Sequence, residues 1–273
     1  RDRSVSRGLG DVYKRQMDDN DICLVAVGGD GTANEVINGI TDFEKVRFGV
    51  IPTGSGNDLA RGLSLSKDPK NGAIHILNAM KKSREDTWCM DLGEVNFGEK
   101  KRLFAISAGI GLDALVCKKA LKSTIKDILN KIRLGKLTYL VLTVQSLFTM
   151  QTADAEIFFD REEGLQKKRM IFTAAMNFKA EGGGVPMAPA ASACDGKLSF
   201  CEAAGIPKWR TFLCLPFLVA AKHTSIHGFS VTDAKDCTIR LSRPMVVHAD
   251  GEYCGEVTEV HFHCLPGKLR VLK

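Results

Sequence analysis

The sequence lacks several features that would settle its class at once. It has no uninterrupted apolar run of about 18 residues, and its mean hydropathy is −0.05, so no membrane-spanning helix is predicted. Its first residues are polar and contain no apolar core of the kind found in a secretory signal. It also contains no Walker-A motif, which excludes a P-loop nucleotide site.

Neither the net charge nor the spacing of the cysteines indicates a special class of protein. The chain has 38 Lys and Arg against 32 Asp and Glu, a net charge of +6, and half of that excess lies in residues 1–16. The remainder is too small to indicate nucleic acid as the main partner. The nine cysteines are odd in number and include no C-x-x-C pair, which predicts reduced thiols in a cytoplasmic protein.

The composition is that of a globular protein. The 273 residues are 44% hydrophobic and 26% charged, and a chain of this length can bury a substantial core. Residues 1–16 show no helical or strand period. They are typical of adapter or fusion sequence, with a basic disordered tail as the alternative, so we exclude them from the fold prediction.

Residues 17–92 predict a parallel α/β domain, because short apolar strands alternate there with helical segments. Thr32 and Glu35 have the spacing of a capping box at the start of the first helix. The predicted strands are 22–27 and 46–51, and the predicted helices are 32–40, 57–63 and 68–82.

Residues 93–273 predict a β-rich, β-sandwich-like domain, because short strand-like segments recur there at high density. Two helical segments interrupt them, 113–150 and 208–222, and the second contains Pro216. The predicted strands are 103–107, 155–159, 170–176, 197–202, 237–241, 245–248, 259–263 and 269–272.

A glycine-rich loop stands between the first predicted strand and the first helix: Gly28, Gly29, Asp30, Gly31 and Thr32. Glycines let backbone N–H groups approach phosphate oxygens, and a helix N-terminus favours negative charge. An acidic residue makes sense in such a loop if it faces a Mg²⁺ that neutralises the phosphates, directly or through water. The loop therefore indicates a nucleotide site more strongly than a generic glycine turn.

A second glycine-rich loop follows the second strand: Thr53, Gly54, Ser55, Gly56 and Asn57. Taken alone, it could be a turn in which Asn57 or its successor caps the next helix. Two such loops after neighbouring parallel strands lie side by side at the carboxyl edge of the sheet, where ligands bind in α/β folds. The pair therefore indicates one shared triphosphate site.

Five motifs occur in order along the chain and resemble the diacylglycerol kinase and sphingosine kinase catalytic superfamily, most closely its soluble bacterial lipid kinases. The resemblance runs from about residue 22 to residue 272. The motifs are G-G-D-G-T (28–32), N-E-V-I-N-G (34–39), P-T-G-S-G-N-D-L-A-R (52–61), G-G-G-V-P-M-A-P (182–189) continuing to D-G-K-L (195–198), and A-D-G-E (249–252).

The resemblance implies an α/β nucleotide-binding domain and a β-rich domain, with the active site in the cleft between them, and it implies ATP and Mg²⁺ as cofactors. On this sequence, residues 28–32 and 53–57 would surround the nucleotide, with Asp30 directed at the Mg²⁺. The family's chain begins with a strand, an N-P-x-x-G-like loop and a helix, which we do not find here. The α/β domain is therefore expected to lack its first βα unit.

The resemblance also assigns roles to later residues. Asp250, or Glu252 two places on, would be the base that takes the proton of the acceptor hydroxyl. Asp195, with the backbone carbonyls of Ser192 and Lys197, would match a second, structural Mg²⁺ site. Both Asp-Gly pairs are also good turn sequences, and that alternative stays open for each.

These expectations predict an ATP- and Mg²⁺-dependent lipid kinase that transfers the γ-phosphoryl group to a lipid hydroxyl, with diacylglycerol converted to phosphatidic acid. Sphingosine and ceramide also fit a match at the level of the superfamily. Two alternatives are an NAD kinase-like enzyme acting on a soluble metabolite and a non-catalytic lipid- or nucleotide-binding module, the latter if the N-terminal unit is truly missing.

A lipid kinase in the cytoplasm must meet its substrate transiently at the inner membrane surface. Residues 118–136 form a basic amphipathic segment suited to an anionic membrane, with an ordinary solvated helix as the alternative. Residues 212–219 are apolar enough to line an acyl-chain pocket, but a buried helix is the favoured interpretation. A homodimer through the β-rich domain is a further expectation.

Overall fold

The computed structural model describes residues 12–18, 21–122, 135–160 and 163–273. The strands are β1 (Val12–Asp18), β2 (Asp21–Gly28), β3 (Val46–Pro52), β4 (Trp88–Phe97), β5 (Lys100–Phe104), β6 (Ser107–Gly111), β7 (Ala153–Phe159), β8 (Leu165–Met170), β9 (Phe172–Met176), β10 (Leu198–Ala203), β11 (Phe229–Ala234), β12 (Asp236–Ala249) and β13 (Glu252–Val271). The helices are α1 (Asp30–Asn38), α2 (Asp58–Gly62), α3 (Pro69–Ala79), α4 (Leu112–Lys122), α5 (Gly135–Thr149) and α6 (Lys208–Val219), with 3₁₀ turns at Phe43–Lys45 and His223–Ser225.

The first half of the chain is built on the parallel strands β2 and β3, as predicted. They pair in register from Ile22 opposite Val46 to Gly28 opposite Pro52. Buried side chains that include Phe48 form the core of this half. Because the two strands are parallel, both glycine-rich loops leave the same edge of the sheet.

The second half is β-rich, as predicted, and is organised by β12 and β13, which pair antiparallel over most of their length. β12 also pairs with β6 and β7, and β13 also pairs with β4. From β6 the sheet continues through β9 and β10 to β11. The core of this half is centred on three phenylalanine rings in tilted and edge contacts, Phe159, Phe200 and Phe262.

The end of β13 returns to the first half. Arg270 and Val271 pair in parallel with β3, so the strands that the structure describes form one connected sheet. Val271 and Leu272 are buried among the side chains of the first half. The predicted domain boundary between residues 92 and 93 falls within β4, which pairs with β5 and β13.

Two expectations about the N-terminal region are wrong. The chain turns directly from β2 into α1, so the helix begins at Asp30 with Gly29 as its N-cap, and Thr32 does not cap it. Residues 12–16 form part of a strand, although the sequence showed no strand period there, because β1 is added to the edge of β2 through backbone pairing that needs no side-chain pattern.

Several boundaries in the second half also differ from the prediction. The segments 237–241 and 245–248 join into β12, and 259–263 and 269–272 join into β13, because irregularities in pairing let each strand continue past the break in its pattern. The predicted strand 103–107 is divided between β5 and β6, and 170–176 is divided between β8 and β9. The helical segment 113–150 contains α4 and α5, and most of the basic segment 118–136 lies outside the described residues.

None of the nine cysteines, all of which lie in the described residues, forms a disulfide bond. Among the residues that the structure describes, no helix is both long enough and apolar enough to cross a membrane.

The return of β13 predicts that its last residues contribute strongly to stability. Val271→Ala removes two methyl groups from a site that is 1% exposed and should lower the free energy of unfolding by about 2 kcal/mol. Val219→Ala makes the same chemical change at a site that is 66% exposed and should alter stability by less than about 0.5 kcal/mol. Urea unfolding followed by circular dichroism checks both values, and equal losses would contradict the assigned burial.

Candidate active site

The two glycine-rich loops touch each other through their backbones. The N–H of Thr53 donates to the carbonyl of Gly28 at 3.0 Å. A Cβ placed on Gly54 would lie 2.5 Å from the Cα of Gly29. That distance is too short for a contact between two carbon atoms, so no side chain fits there. The sequence therefore needs glycine at this contact, and the two predicted walls of the nucleotide site are adjacent.

The start of α1 presents its backbone N–H groups without a side-chain cap. Gly29 is the N-cap residue, and it has no side chain with which to cap the first turn. Uncapped N–H groups together with the positive end of the helix dipole are suited to bind a phosphate. The residues present therefore fit a nucleotide triphosphate at this loop.

Asp30 connects the first loop to the second. Its carboxylate accepts hydrogen bonds from the N–H groups of Asp58 and Leu59, both at 3.0 Å, and so caps α2. Burial raises the pKa of Asp30, and the hydrogen bonds from α2 oppose that rise. Its role visible in the structure is to hold the two loops together, and a cation contact through water would add to that role.

Asn57 closes the second loop on itself. Its backbone is in the left-handed region, with φ 52°, and its side chain bonds Gly54 twice: Gly54 N–H donates to Oδ1 at 3.0 Å, and Nδ2 donates to the carbonyl at 2.7 Å. Thr53 and Ser55 are exposed on this loop, and a Cβ on Gly56 would meet the Asp30 carboxylate at 2.9 Å. The loop is therefore closed by its own hydrogen bonds, with two exposed hydroxyl side chains.

The G-G-G segment from the second half reaches the second loop. The N–H of Gly183 donates to Oδ2 of Asp58 at 2.8 Å, and Asp58 also forms an ion pair with Arg61. A Cβ on Gly184 would lie 3.3 Å from the Arg61 guanidinium. The fourth motif of the resemblance therefore lies beside the predicted nucleotide loops.

Asp250 is half-buried, and four hydrogen bonds reach its carboxylate. Backbone N–H groups of Ala105, Ile106 and Ser107 donate to it at 2.8–3.1 Å, and Asn34 Nδ2 donates at 2.8 Å. Burial raises the pKa of Asp250, and these four donors counteract the rise. The geometry shows a carboxylate that fixes the corner between β5 and β6 to α1.

Glu252 lies at the first glycine loop. It is half-buried, and a Cβ placed on Gly31 would be 3.1 Å from its Oε1. Asp250 and Gly251, which precede it, both have positive φ, 47° and 84°, as expected for the turn alternative. The turn and the site are therefore compatible, because the turn directs Glu252 to the loop that would hold the phosphates.

Sequence reasoning missed a cluster behind this turn. One ligand atom each from Asp113, Glu181 and His248 lie within 4.8 Å of one another. Gly251 N–H donates to Nδ1 of His248 at 3.2 Å, so the proton is assigned to Nε2, which faces Asp113 at 3.1 Å. This tautomer leaves no imidazole lone pair for a metal, so the geometry favours a hydrogen-bonded pair that supports the turn.

Glu181 adds a second link to the same cluster. It is the residue before the G-G-G segment, and its backbone bonds Val185 in both directions. Burial raises the pKa of its carboxyl, and the nearby imidazole of His248 opposes that rise. The cluster therefore joins the base of the G-G-G segment to the base of the D-G-E turn. The three residues are far apart in sequence, and no local pattern indicates them.

The residues predicted to form the second Mg²⁺ site lie in a turn next to β13. Oδ1 of Asp195 accepts the N–H of Lys197 at 3.1 Å, and Ser192 contacts Cys194 through its hydroxyl at 3.5 Å. Asp91 anchors the turn by accepting the N–H of Gly196 at 2.7 Å. The turn alternative is therefore seen in the structure, and the metal role of Asp195 stays a prediction.

Comparisons with known proteins cover both halves of the chain. Residues 5–90 match the family model described as "Diacylglycerol kinase catalytic domain", and residues 107–273 match the one described as "YegS C-terminal NAD kinase beta sandwich-like domain". A protein of Bacillus anthracis str. Sterne has the same fold in its crystal structure, with a TM-score of 0.70. The two sequences are 22% identical, and the match covers 92% of this chain and 77% of the Bacillus anthracis chain.

Curated relatives agree with the family models. YtlR of Bacillus subtilis is 29% identical over 91% of this chain and 79% of its own length. The diacylglycerol kinase of the same organism is 27% identical over 85% of this chain and 71% of its own. That of Mycobacterium tuberculosis is 25% identical over 92% and 76%. The chain therefore belongs to the diacylglycerol kinase-like family of lipid kinases, with a catalytic domain followed by a YegS-type β-sandwich-like domain.

Proposed function

We propose that this protein is an ATP- and Mg²⁺-dependent lipid kinase that transfers the γ-phosphoryl group to the hydroxyl of diacylglycerol, giving phosphatidic acid. The observation that carries the proposal is the meeting of three elements at one place: the two backbone-packed glycine loops, the uncapped start of α1, and the Glu252 carboxylate above Gly31. The names of the curated relatives support the choice of diacylglycerol as acceptor.

When bound, ATP would supply the phosphoryl group, and Mg²⁺ would neutralise the charge on its phosphates. The N–H groups that open α1 would bind the phosphates, and the exposed hydroxyls of Thr53 and Ser55 would line the second wall. Asp30 would face the metal through water, because its oxygens already accept two N–H groups from α2. Asp195, with the carbonyls of Ser192 and Lys197, is proposed as the second, structural Mg²⁺ site.

Glu252 is the better candidate for the base. Four donors hold the Asp250 carboxylate, whereas the Glu252 carboxylate reaches the first glycine loop. In the proposed reaction Glu252 would accept the proton of the acceptor hydroxyl as that oxygen bonds to the γ-phosphorus, while the bond from the γ-phosphorus to the bridging oxygen breaks and ADP leaves. The base need not be strong, because positioning and charge neutralisation supply most of the catalysis in phosphoryl transfer.

The test of the function is a phosphorylation assay in detergent micelles with Mg²⁺ and ATP, offering diacylglycerol, sphingosine, ceramide and NAD separately. We expect labelled phosphatidic acid and loss of all product on chelation of Mg²⁺. Labelled NADP instead would support the NAD kinase-like alternative. Bound ATP without any product would support the non-catalytic module.

Glu252→Gln should lower kcat by at least about 100-fold, because it removes the proposed general base, and should leave ATP binding nearly unchanged. Glu256→Gln, on the same strand at an exposed ion pair with Lys118, is the matched control and should retain activity. Asp250→Asn should instead lower both kcat and Tm, because the amide cannot accept all four hydrogen bonds. Unchanged turnover of Glu252→Gln would exclude Glu252 as the base.

His248 is expected to act as a positioning residue for the turn that carries Glu252. His248→Leu removes the acceptor for Gly251 N–H and should lower kcat by about tenfold, while the KM for ATP stays within about twofold. His248→Asn can keep that hydrogen bond through Oδ1 and should recover most of the loss. Steady-state kinetics measures both variants, and equal losses would rule out this role.

A further inference from the structure

The α6 helix is exposed on a side that the sequence predicted to be buried. Trp209, Phe212, Leu213 and Phe217 are 41–58% exposed, and Val219 at the end of the helix is 66% exposed. The favoured expectation of a buried helix over 212–219 is therefore wrong for these residues. The physical reason is that only one face of α6, which includes Thr211 and Leu218, packs on the core.

The exposed residues continue onto α5. Val141 and Phe148 are 57% and 51% exposed, and the Phe148 and Phe212 rings lie 6.1 Å apart. Lys208 Nζ donates to the Phe148 carbonyl at 3.3 Å, which fixes the two helices to each other. Seven of the eleven exposed large hydrophobic side chains in the described part of the chain lie on this α5–α6 face: Val141, Phe148, Trp209, Phe212, Leu213, Phe217 and Val219.

The spacing on α6 places its apolar residues on one side. Positions 209, 212, 213 and 217 follow the i, i+3, i+4, i+8 pattern of a single helical face. A contiguous exposed apolar face of this kind is typical of a docking surface.

The charges around this face have one sign. Residues 205–222 contain Lys208, Arg210 and Lys222 and no acidic residue, and residues 135–150 contain one lysine and no acidic residue. Apolar residues on helices whose charged residues are all cations match the interface of an anionic bilayer, in which aromatic and aliphatic side chains enter the headgroup layer and cations meet lipid phosphates. A second copy of the same face would bring like charges together.

We propose that the α5–α6 face is the surface with which this protein docks on an anionic membrane. The inference rests on the proposed lipid kinase function, because docking brings the enzyme to a substrate held in the bilayer. Leu213 and its neighbours insert at the level of the lipid headgroups, and the three basic residues lie against them.

The test compares Leu213→Asp with Leu77→Asp. Both leucines are exposed to nearly the same extent, 57% and 54%, but Leu77 lies on α3, away from this face. Co-sedimentation uses phosphatidylcholine vesicles with and without phosphatidylglycerol. We expect the wild-type chain and Leu77→Asp to bind the anionic vesicles, and Leu213→Asp to bind at least about tenfold more weakly, because one inserted leucine is replaced by a repelled charge.

Two further measurements separate this inference from the proposed function. Phosphorylation of a short-chain, water-soluble diacylglycerol should be the same in all three proteins, and only vesicle-bound diacylglycerol should be phosphorylated more slowly by Leu213→Asp.

If the wild-type chain phosphorylates the soluble substrate but Leu213→Asp still binds vesicles normally, the docking surface is elsewhere. If light scattering shows a dimer that Leu213→Asp dissociates, a second copy covers the face and the proposal is wrong. Failure with the soluble substrate in every protein would overturn the proposed function alone.

Discussion

The carboxylate of Asp250 joins the two halves of the molecule at the candidate site. It takes three backbone N–H groups from the corner between β5 and β6 and one side-chain N–H from Asn34 on α1. A buried carboxylate would be costly without such donors, so the chain must form this corner for the turn to be stable. Once it is formed, Glu252 is placed above the first glycine loop.

The glycine loops could be predicted from the sequence because their chemistry is local. A strand, a run of glycines and a helix start lie within about a dozen residues, and the parallel order of the strands then sets the two loops side by side. The separate roles of Asp250 and Glu252 could not be predicted in the same way. Four donors hold the Asp250 carboxylate, and those donors come from residues 34 and 105–107, far from the turn in sequence.

The same dependence on residues distant in sequence explains which features could not be predicted and which were predicted wrongly. Asp113, Glu181 and His248 come from three distant segments, and only the folded sheet brings them together. The exposure of α6 was also hidden, because an apolar helix looks alike whether its outer face meets protein or solvent. The sequence does show the apolar residues of the α5–α6 face, with no acidic residue beside them.

The return of β13 to β3 has a consequence for synthesis on the ribosome. The nucleotide loops belong to the first sixty residues or so, and β3 pairs there with β2, yet its second strand partner comes only from Arg270 and Val271. A nascent chain therefore carries an incomplete first half, with one edge of β3 unpaired, until residues 270 and 271 have been synthesised. Contacts of such long sequence separation also slow folding. The cell must protect that edge during elongation, and a stalled or shortened product would expose it for longer.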